Sequence, residues 1–231
     1  MDDERGTAAA GGNRADLPPV VLPGYRSARD PSRALAVGPH KLPREHVSQV
    51  QRDRLLDAFV QVVAEHGYES AGVKAICKRA GVAFTTFYDL FESKEQLFLA
   101  AYDAGIAILI DSVRNAPAPA DPDDLRARVE SGLGAILNAL ADNPLFARFF
   151  AVEIHKAGAE AQDRVDETFE QAFSLFARSK LAANHHTPAD DVGPLVIGGA
   201  YMRIYFYIRA GRTAELPDLL PVLTSFVLFD F

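Results

Sequence analysis

Cysteine is nearly absent from this chain, which has one in 231 residues. A disulfide framework and a thiolate zinc cluster are thereby excluded, and a reducing compartment fits. Long apolar runs are missing too. The longest uncharged apolar stretch, Val192 to Met202, is about half of what a membrane span needs. The opening Met1-Asp2-Asp3-Glu4 is acidic and carries no apolar run, so it does not read as a secretory signal. No alternating apolar–polar pattern marks a strand, and no segment repeats. The expectation is a soluble cytoplasmic protein of the all-α class. A basic excess is also lacking, since 24 Lys+Arg stand against 31 Asp+Glu for a net charge of −7. Residues 1–43 and 44–98 are nearly balanced, with six basic against five acidic and seven against eight. The acidic surplus therefore lies in residues 99–231. That disfavours nonspecific coating of nucleic acid but leaves room for a local basic face.

What is present is enough apolar material, 48% of residues, to bury a real core. The first 43 residues hold six of the 14 prolines and five of the 16 glycines. With no apolar period of either kind, they read as a disordered tail. Its Arg26, Arg29, Arg33 and Lys41 could touch phosphates or a minor groove; composition favours the plainer reading of a solvated leader.

From Arg44 the pattern turns helical. Leu55, Leu56, Phe59, Val60, Val62 and Val63 form a stripe at helical spacing that ends at Gly67. A short helix carries Val73, Ile76, Cys77 and Ala80 on one face and stops at Gly81. The turn Gly81-Val82-Ala83 leads to a third helix, Phe84 to about Leu90. Ser93-Lys94-Glu95-Gln96 reads as a capping box opening a long helix to about Val113. Asp121-Pro122, Asn143-Pro144 and Thr187-Pro188 read as further helix starts. Phe169, Phe173 and Phe176 mark another long helix. Cys77 falls on the buried stripe and reads as a small core residue. The pair His185-His186 reads as solvated, because a metal site would need further ligands.

Two short helices joined by a glycine-containing three-residue turn form the helix-turn-helix pattern, whose second helix can enter a major groove. Many plain helical corners share that geometry. The residues themselves say more. The run Gly67-Tyr68, Val73, Ile76, Ala80-Gly81-Val82, Thr86-Phe87-Tyr88, Phe91, Ser93-Lys94-Glu95, Leu97 resembles the N-terminal signature of the TetR family of transcriptional regulators, over about residues 50–100. The remainder is similar only in helical character and length. The resemblance implies an N-terminal helix-turn-helix DNA-binding domain (44–98) and a C-terminal helical ligand-binding and dimerisation domain (99–231). It implies a homodimer, a double-stranded DNA operator and a small-molecule effector as partners, and no catalysis, cofactor or metal.

The physics of the motif agrees. Lys94 at the first position of a helix opposes the dipole unless an anion arrives, which suits a phosphate contact. Tyr88 could reach the same DNA backbone. Phe84, Thr85 and Thr86 open the third helix, where base edges would be read, and a methyl or phenyl group can contact a thymine methyl. Lys74, Lys78 and Arg79 could add contacts from the second helix. The sequence departs from the family pattern at Ala71-Gly72, Ala75, Ala83 and Thr85. Each lost hydroxyl cap costs on the order of 1 kcal/mol and removes a phosphate donor.

Two further sets of residues are expected to matter. From Leu216 to Phe229 the only charge is Asp218, and a helix apolar all round must be buried all round. With Gly198-Gly199-Ala200 admitting a close neighbour, this suggests a four-helix dimer interface through Gly198, Leu219, Leu223 and Phe226. Tyr102, Asn138, His155, Tyr201 and Tyr205 are polar groups on otherwise apolar faces and are the candidates for a ligand pocket. For each, a satisfied core residue is the competing reading. The whole reads as a dimeric transcriptional regulator, a repressor released by a small apolar or amphipathic ligand. The alternative is a helical small-molecule-binding protein or enzyme that has lost DNA binding.

Overall fold

The computed structural model describes residues 20–27, 30–31, 43–181 and 192–228, with helical backbone only at 173–181, 192 and 193. Arg29, Arg33, Lys41, His185-His186, Thr187-Pro188 and Phe229 lie outside the described residues. Among the described residues there are nine α-helices and no strand: α1 Arg44–His66, α2 Val73–Ala80, α3 Phe84–Leu90, α4 Lys94–Arg114, α5 Leu125–Asp142, α6 Pro144–Arg148, α7 Ala159–Leu181, α8 Val192–Arg209 and α9 Leu220–Leu228. The fold is all-α.

The first three helices pack as their sequences direct. α1 buries Leu55, Leu56, Phe59, Val60, Val62 and Val63, and α2 buries Ile76, Cys77 and Ala80. Gly81 takes the left-handed conformation at φ 63°, and its N–H donates to the Cys77 carbonyl. That lets the chain turn at once into α3. The guanidinium of Arg52 in α1 lies 4.8 Å above the Phe91 ring just past α3. α4 opens with the first half of the capping box, Ser93 Oγ accepting from the Gln96 N–H at 3.0 Å; the return bond falls one residue before the cap. Gln96 Oε1 reaches back to the Glu92 N–H at 2.7 Å.

α4 is apolar and long enough to cross a membrane by length and composition, a feature hidden when only uncharged stretches are counted. Here it is a central core helix, burying Leu97, Phe98, Leu99, Ala101, Tyr102, Gly105 and Leu109. It runs across the domain boundary expected at residue 98. The aromatic core is continuous there: Phe98 lies 5.9 Å from Phe59 and 4.5 Å from Phe149.

Three sequence expectations meet a different arrangement. Asp121-Pro122 does not start a helix; Asp121 accepts from the N–H groups of Asp123 and Asp124 in a turn. Asp124 is the cap of α5, accepting from the Ala127 N–H at 2.9 Å. Second, one side of α9 is covered by its own chain, while Pro221 and Val222 on the other stay exposed. Leu219 and Leu223 are each 3% exposed, Leu220 Cδ2 lies 3.6 Å from where a Cβ on Gly134 of α5 would stand, and the Phe226 ring fills the space a Cβ on Gly199 of α8 would occupy. Long-range packing on α5 and α8 supplies the burial of Leu219 and Leu223 that had been assigned to a partner chain.

Third, part of the proline-rich leader is a docked strap. Leu22, Pro23 and Gly24 are buried. The Leu22 N–H donates to Asn143 Oδ1 at 3.2 Å, and Asn143 Nδ2 donates to the Val20 carbonyl at 2.8 Å. The Gly24 N–H donates to Asp57 Oδ1 at 2.6 Å. Gln61 Nε2 donates to the carbonyls of Gly24 and Arg26 at 3.0 and 2.9 Å. Gly24 has φ 95°, and a Cβ there would stand 2.5 Å from Val60 Cγ1, so only glycine fits. Asp57 and Asn143, each 4% exposed, satisfy a backbone segment with no secondary structure of its own. The strap thus ties α1 to the α5–α6 junction.

Between α6 and α7 the helix changes its hydrogen-bond register twice. α6 begins with Pro144 at its first turn and passes into a π-helical turn, Phe149–Glu153, and then a 3-10 turn, Ile154–Lys156.

Candidate functional site

One face of α2 and α3 is left open to solvent. Phe87 is buried and anchors α3, while Phe84 and Tyr88 are 43% and 52% exposed. Their rings meet edge to face at 5.1 Å. Thr85 is exposed beside them and Thr86 is half-buried. Lys74 and Lys78 are exposed on α2. Arg79, by contrast, is committed: it donates from both terminal nitrogens to Glu65 at 2.6 Å. This bond, more than any other influence, lowers the Glu65 pKa and raises that of Arg79. Arg79 is therefore a lock between α1 and α2.

Lys94 is half-buried. Its ammonium lies 4.2 Å from the Tyr68 ring centre and donates to the Tyr68 carbonyl at 2.9 Å. Burial pulls its pKa below the ordinary lysine value. One of its three donors is thus used to brace the α1–α2 turn. The Tyr68 N–H is held from the other side, by Glu153 Oε2 at 3.0 Å. Glu153 is fully buried, and sequence reasoning missed it. Its only signal was an acidic residue one step from apolar Phe149-Phe150-Ala151-Val152.

A second cluster sits between α4, α7, α8 and the π-helical turn. Tyr102 is 1% exposed and stacks on Phe150 at 5.9 Å. The Tyr201 hydroxyl donates to the Ala151 carbonyl at 3.1 Å and lies 3.2 Å from His155 Nε2. Phe169 meets the Tyr201 ring at 4.9 Å, and Tyr205 meets His155 at 6.2 Å. Burial pushes the Tyr102 hydroxyl up to about 12 and drives Tyr201 upward as well, so both are neutral hydrogen-bonding groups at physiological pH. Tyr102, His155, Tyr201 and Tyr205 are thus brought together. Asn138 is half-buried on α5 and does not join them by a hydrogen bond among the described residues. Among those residues, no three His, Cys, Asp or Glu side chains gather as a metal site.

Residues 55–101 match the model of the bacterial regulatory proteins of the tetR family. The helix-turn-helix segment is thus a domain of the tetR type. The chain is 32% identical to the HTH-type transcriptional repressor KstR of Mycobacterium tuberculosis over 130 residues, covering 56% of this chain and 58% of that one. The chain thus spans about three fifths of the length of this curated relative. The fatty acid degradation regulator FadR of Bacillus halodurans superposes with a TM-score of 0.68 at 20% identity, covering 84% of this chain and 97% of that one. FadR of Bacillus subtilis, solved with stearoyl-CoA, superposes at 0.64 and 16% identity over 77% and 98%. These superpositions establish the fold; the names are those of transcriptional regulators.

As a TetR-family domain, residues 55–101 depart from the pattern where the sequence indicated. Gly72 and Ala83 stand at the caps of α2 and α3, and neither helix receives a side-chain cap. The Glu65–Arg79 pair and the Arg52–Phe91 contact supply tertiary anchorage to the same two helices. As to the proposed interface residues, Gly198 faces open space, Phe226 is half-buried, and Leu219 and Leu223 point into the chain's own core. The apolar surface α8 and α9 do expose consists of Leu195, Met202, Phe206 and Val222, at 71, 44, 51 and 56%.

Proposed function

We propose that this protein is a dimeric DNA-binding transcriptional regulator, a repressor released when an amphipathic ligand with a long apolar chain enters the Tyr102–Tyr201 cluster. The observation that carries the reading is the open face of α3, where Phe84, Thr85 and Tyr88 lie exposed on a helix anchored by Phe87. The two rings pack on each other and Tyr88 also meets Phe87 at 5.1 Å, yet about half of each is left to solvent. Thymine methyls and base edges of a major groove suit them. The ligand class draws on the aromatic side chains and few hydroxyls of the cluster and on the stearoyl-CoA in the Bacillus subtilis FadR structure. The protein would act in the cytoplasm, with its operator. Purified protein is to be titrated onto its own promoter region at two salt concentrations, with and without stearoyl-CoA. Tight, sequence-selective binding weakened by stearoyl-CoA is the expected result, and binding equally weak to all DNA would overturn it. The bare caps at Gly72 and Ala83 favour a second reading, a ligand-binding protein that has lost DNA binding, and that titration separates the two.

Lys94 is assigned to a phosphate, through the donors that Tyr68 leaves over. Lys94→Ala is expected to weaken binding to every sequence alike and to lower the slope of log affinity against log salt by about 1. A sequence-selective loss at unchanged slope would remove Lys94 from the phosphate contacts.

The dimer is assigned to the α8–α9 surface bearing Leu195, Met202, Phe206 and Val222. Leu195, Met202 and Phe206 fall seven and eleven residues apart, on one side of α8. Phe206→Glu is expected to give a soluble, folded monomer by light scattering, with operator affinity collapsing. A persistent dimer would move the interface elsewhere. Leu223→Glu should instead unfold the chain, since Leu223 packs within it.

A further inference from the structure

The π-helical turn Phe149–Glu153 touches both candidate sites with consecutive residues. Phe149 is fully buried and packs on Phe59 at 5.9 Å and Phe98 at 4.5 Å, in the core beneath the helix-turn-helix. Phe150 turns the other way, onto Tyr102 at 5.9 Å and Tyr201 at 6.1 Å. The Ala151 carbonyl accepts the Tyr201 hydroxyl. Glu153 is buried again on the first side. There it accepts the Tyr68 N–H, with Lys156 at 3.2 Å and Arg148 at 3.5 Å balancing its charge. Tyr68 in turn packs edge-on against Phe98 at 5.4 Å, and Gly67 and Tyr68 are where α1 hands over to the DNA-facing helices.

A π turn holds one residue more than an α turn, and such turns concentrate at functional sites. If the extra residue were released, everything after it would swing by about 100°, one residue's rotation on a helix. Glu153 would then leave the Tyr68 N–H. The contacts on the two sides therefore select the same register, and a ligand that displaces Tyr201 from Ala151 weakens one of the two supports. A coupling element needs this property: one local equilibrium biased by both sites.

We propose that the Phe149–Glu153 turn is the coupling element between the aromatic cluster and the helix-turn-helix, with Glu153 the positioning residue that holds the α1–α2 turn. The inference rests on the reading of that cluster as the effector site.

The test is amide hydrogen exchange at Tyr68 in the full chain, with neither DNA nor ligand added. Tyr201→Phe removes only the hydroxyl, and with it the bond to the Ala151 carbonyl and the contact with His155 Nε2. It is expected to speed Tyr68 exchange about fivefold to tenfold, the scale of one neutral hydrogen bond. Glu153→Ala should speed it at least as much, and the double variant no more than Glu153→Ala alone. Glu153→Gln, which keeps an acceptor for the Tyr68 N–H, should restore much of the protection and serves if the alanine variant does not fold. Unchanged Tyr68 exchange in Tyr201→Phe, or effects that multiply in the double variant, would overturn the coupling. Failure of stearoyl-CoA to release promoter DNA is a separate result. It would refute the proposed ligand class and leave the exchange coupling to stand on its own measurement.

Discussion

Gly105→Val is expected to lower the melting temperature by about 6–12 °C, which corresponds to roughly 3 kcal/mol in a domain of this size. A Cβ at Gly105 would stand within 2.0 Å of Phe146 Cζ, so the α6 ring crosses α4 where only a hydrogen leaves room. The ring cannot retreat, because Phe146 is fully buried and has Phe149 5.8 Å and Phe150 6.1 Å from its centre. Gly105→Ala supplies the sign test. Helix propensity alone predicts stabilisation by about 1 kcal/mol, whereas the contact predicts a loss. A smaller ring neighbour should relieve the clash: Phe146→Leu, destabilising alone, is expected to rescue part of the Gly105→Val loss in the double variant, read by calorimetry. An unchanged melting temperature in Gly105→Val would mean that α4 and α6 do not cross so closely.

Replacing both exposed rings of α3, Phe84→Ala with Tyr88→Ala, is expected to reduce operator affinity at least tenfold, through loss of the apolar contact of Phe84 with base methyls and of the uncharged Tyr88 hydroxyl with the DNA backbone. The salt slope should stay as it was, because no phosphate contact of Lys74 or Lys94 is touched. Stability should change little at positions so exposed. Fluorescence anisotropy on operator and scrambled duplexes separates this from a general loss. In the double variant, replacing thymine by uracil at the contacted steps should have no further effect. Wild-type affinity retained by the double variant would remove α3 from base recognition.

What the sequence made legible was local. The α2–α3 corner, the stop at Gly81 and the Ser93–Gln96 capping box depend on residues within four positions of each other, and their periods show in the string. The α3 surface was legible only in part: Phe84 and Tyr88, four residues apart, share a face, but Phe84 is also three residues from buried Phe87, and its 43% exposure is set by how α3 packs. What stayed hidden depended on distance. The all-apolar α9 was read as seeking a partner chain because nothing in the string says that α5, some eighty residues earlier, will lie against it. Glu153 looked like any surface acid until Tyr68 and its two cations closed around it. The π register left no trace in a run apolar on every side. Among the candidate ligand residues, four converged because α4 and α8 both face the 149–155 segment, while Asn138 on α5 did not join them.

The strap has a consequence for how the chain is made. Leu22 and its anchor Asn143 are 121 residues apart. At a synthesis rate of about 5–20 residues per second, the anchor emerges roughly 6–24 s after the segment it holds. During that interval Leu22, Pro23 and Gly24 have only the α1 side of their seat, Asp57, Val60 and Gln61. The seat is completed last, when the α5–α6 junction closes over it. Docking of the strap is therefore a late step in folding, and protection of residues 20–27 from protease reports that the rest of the chain has reached its native packing.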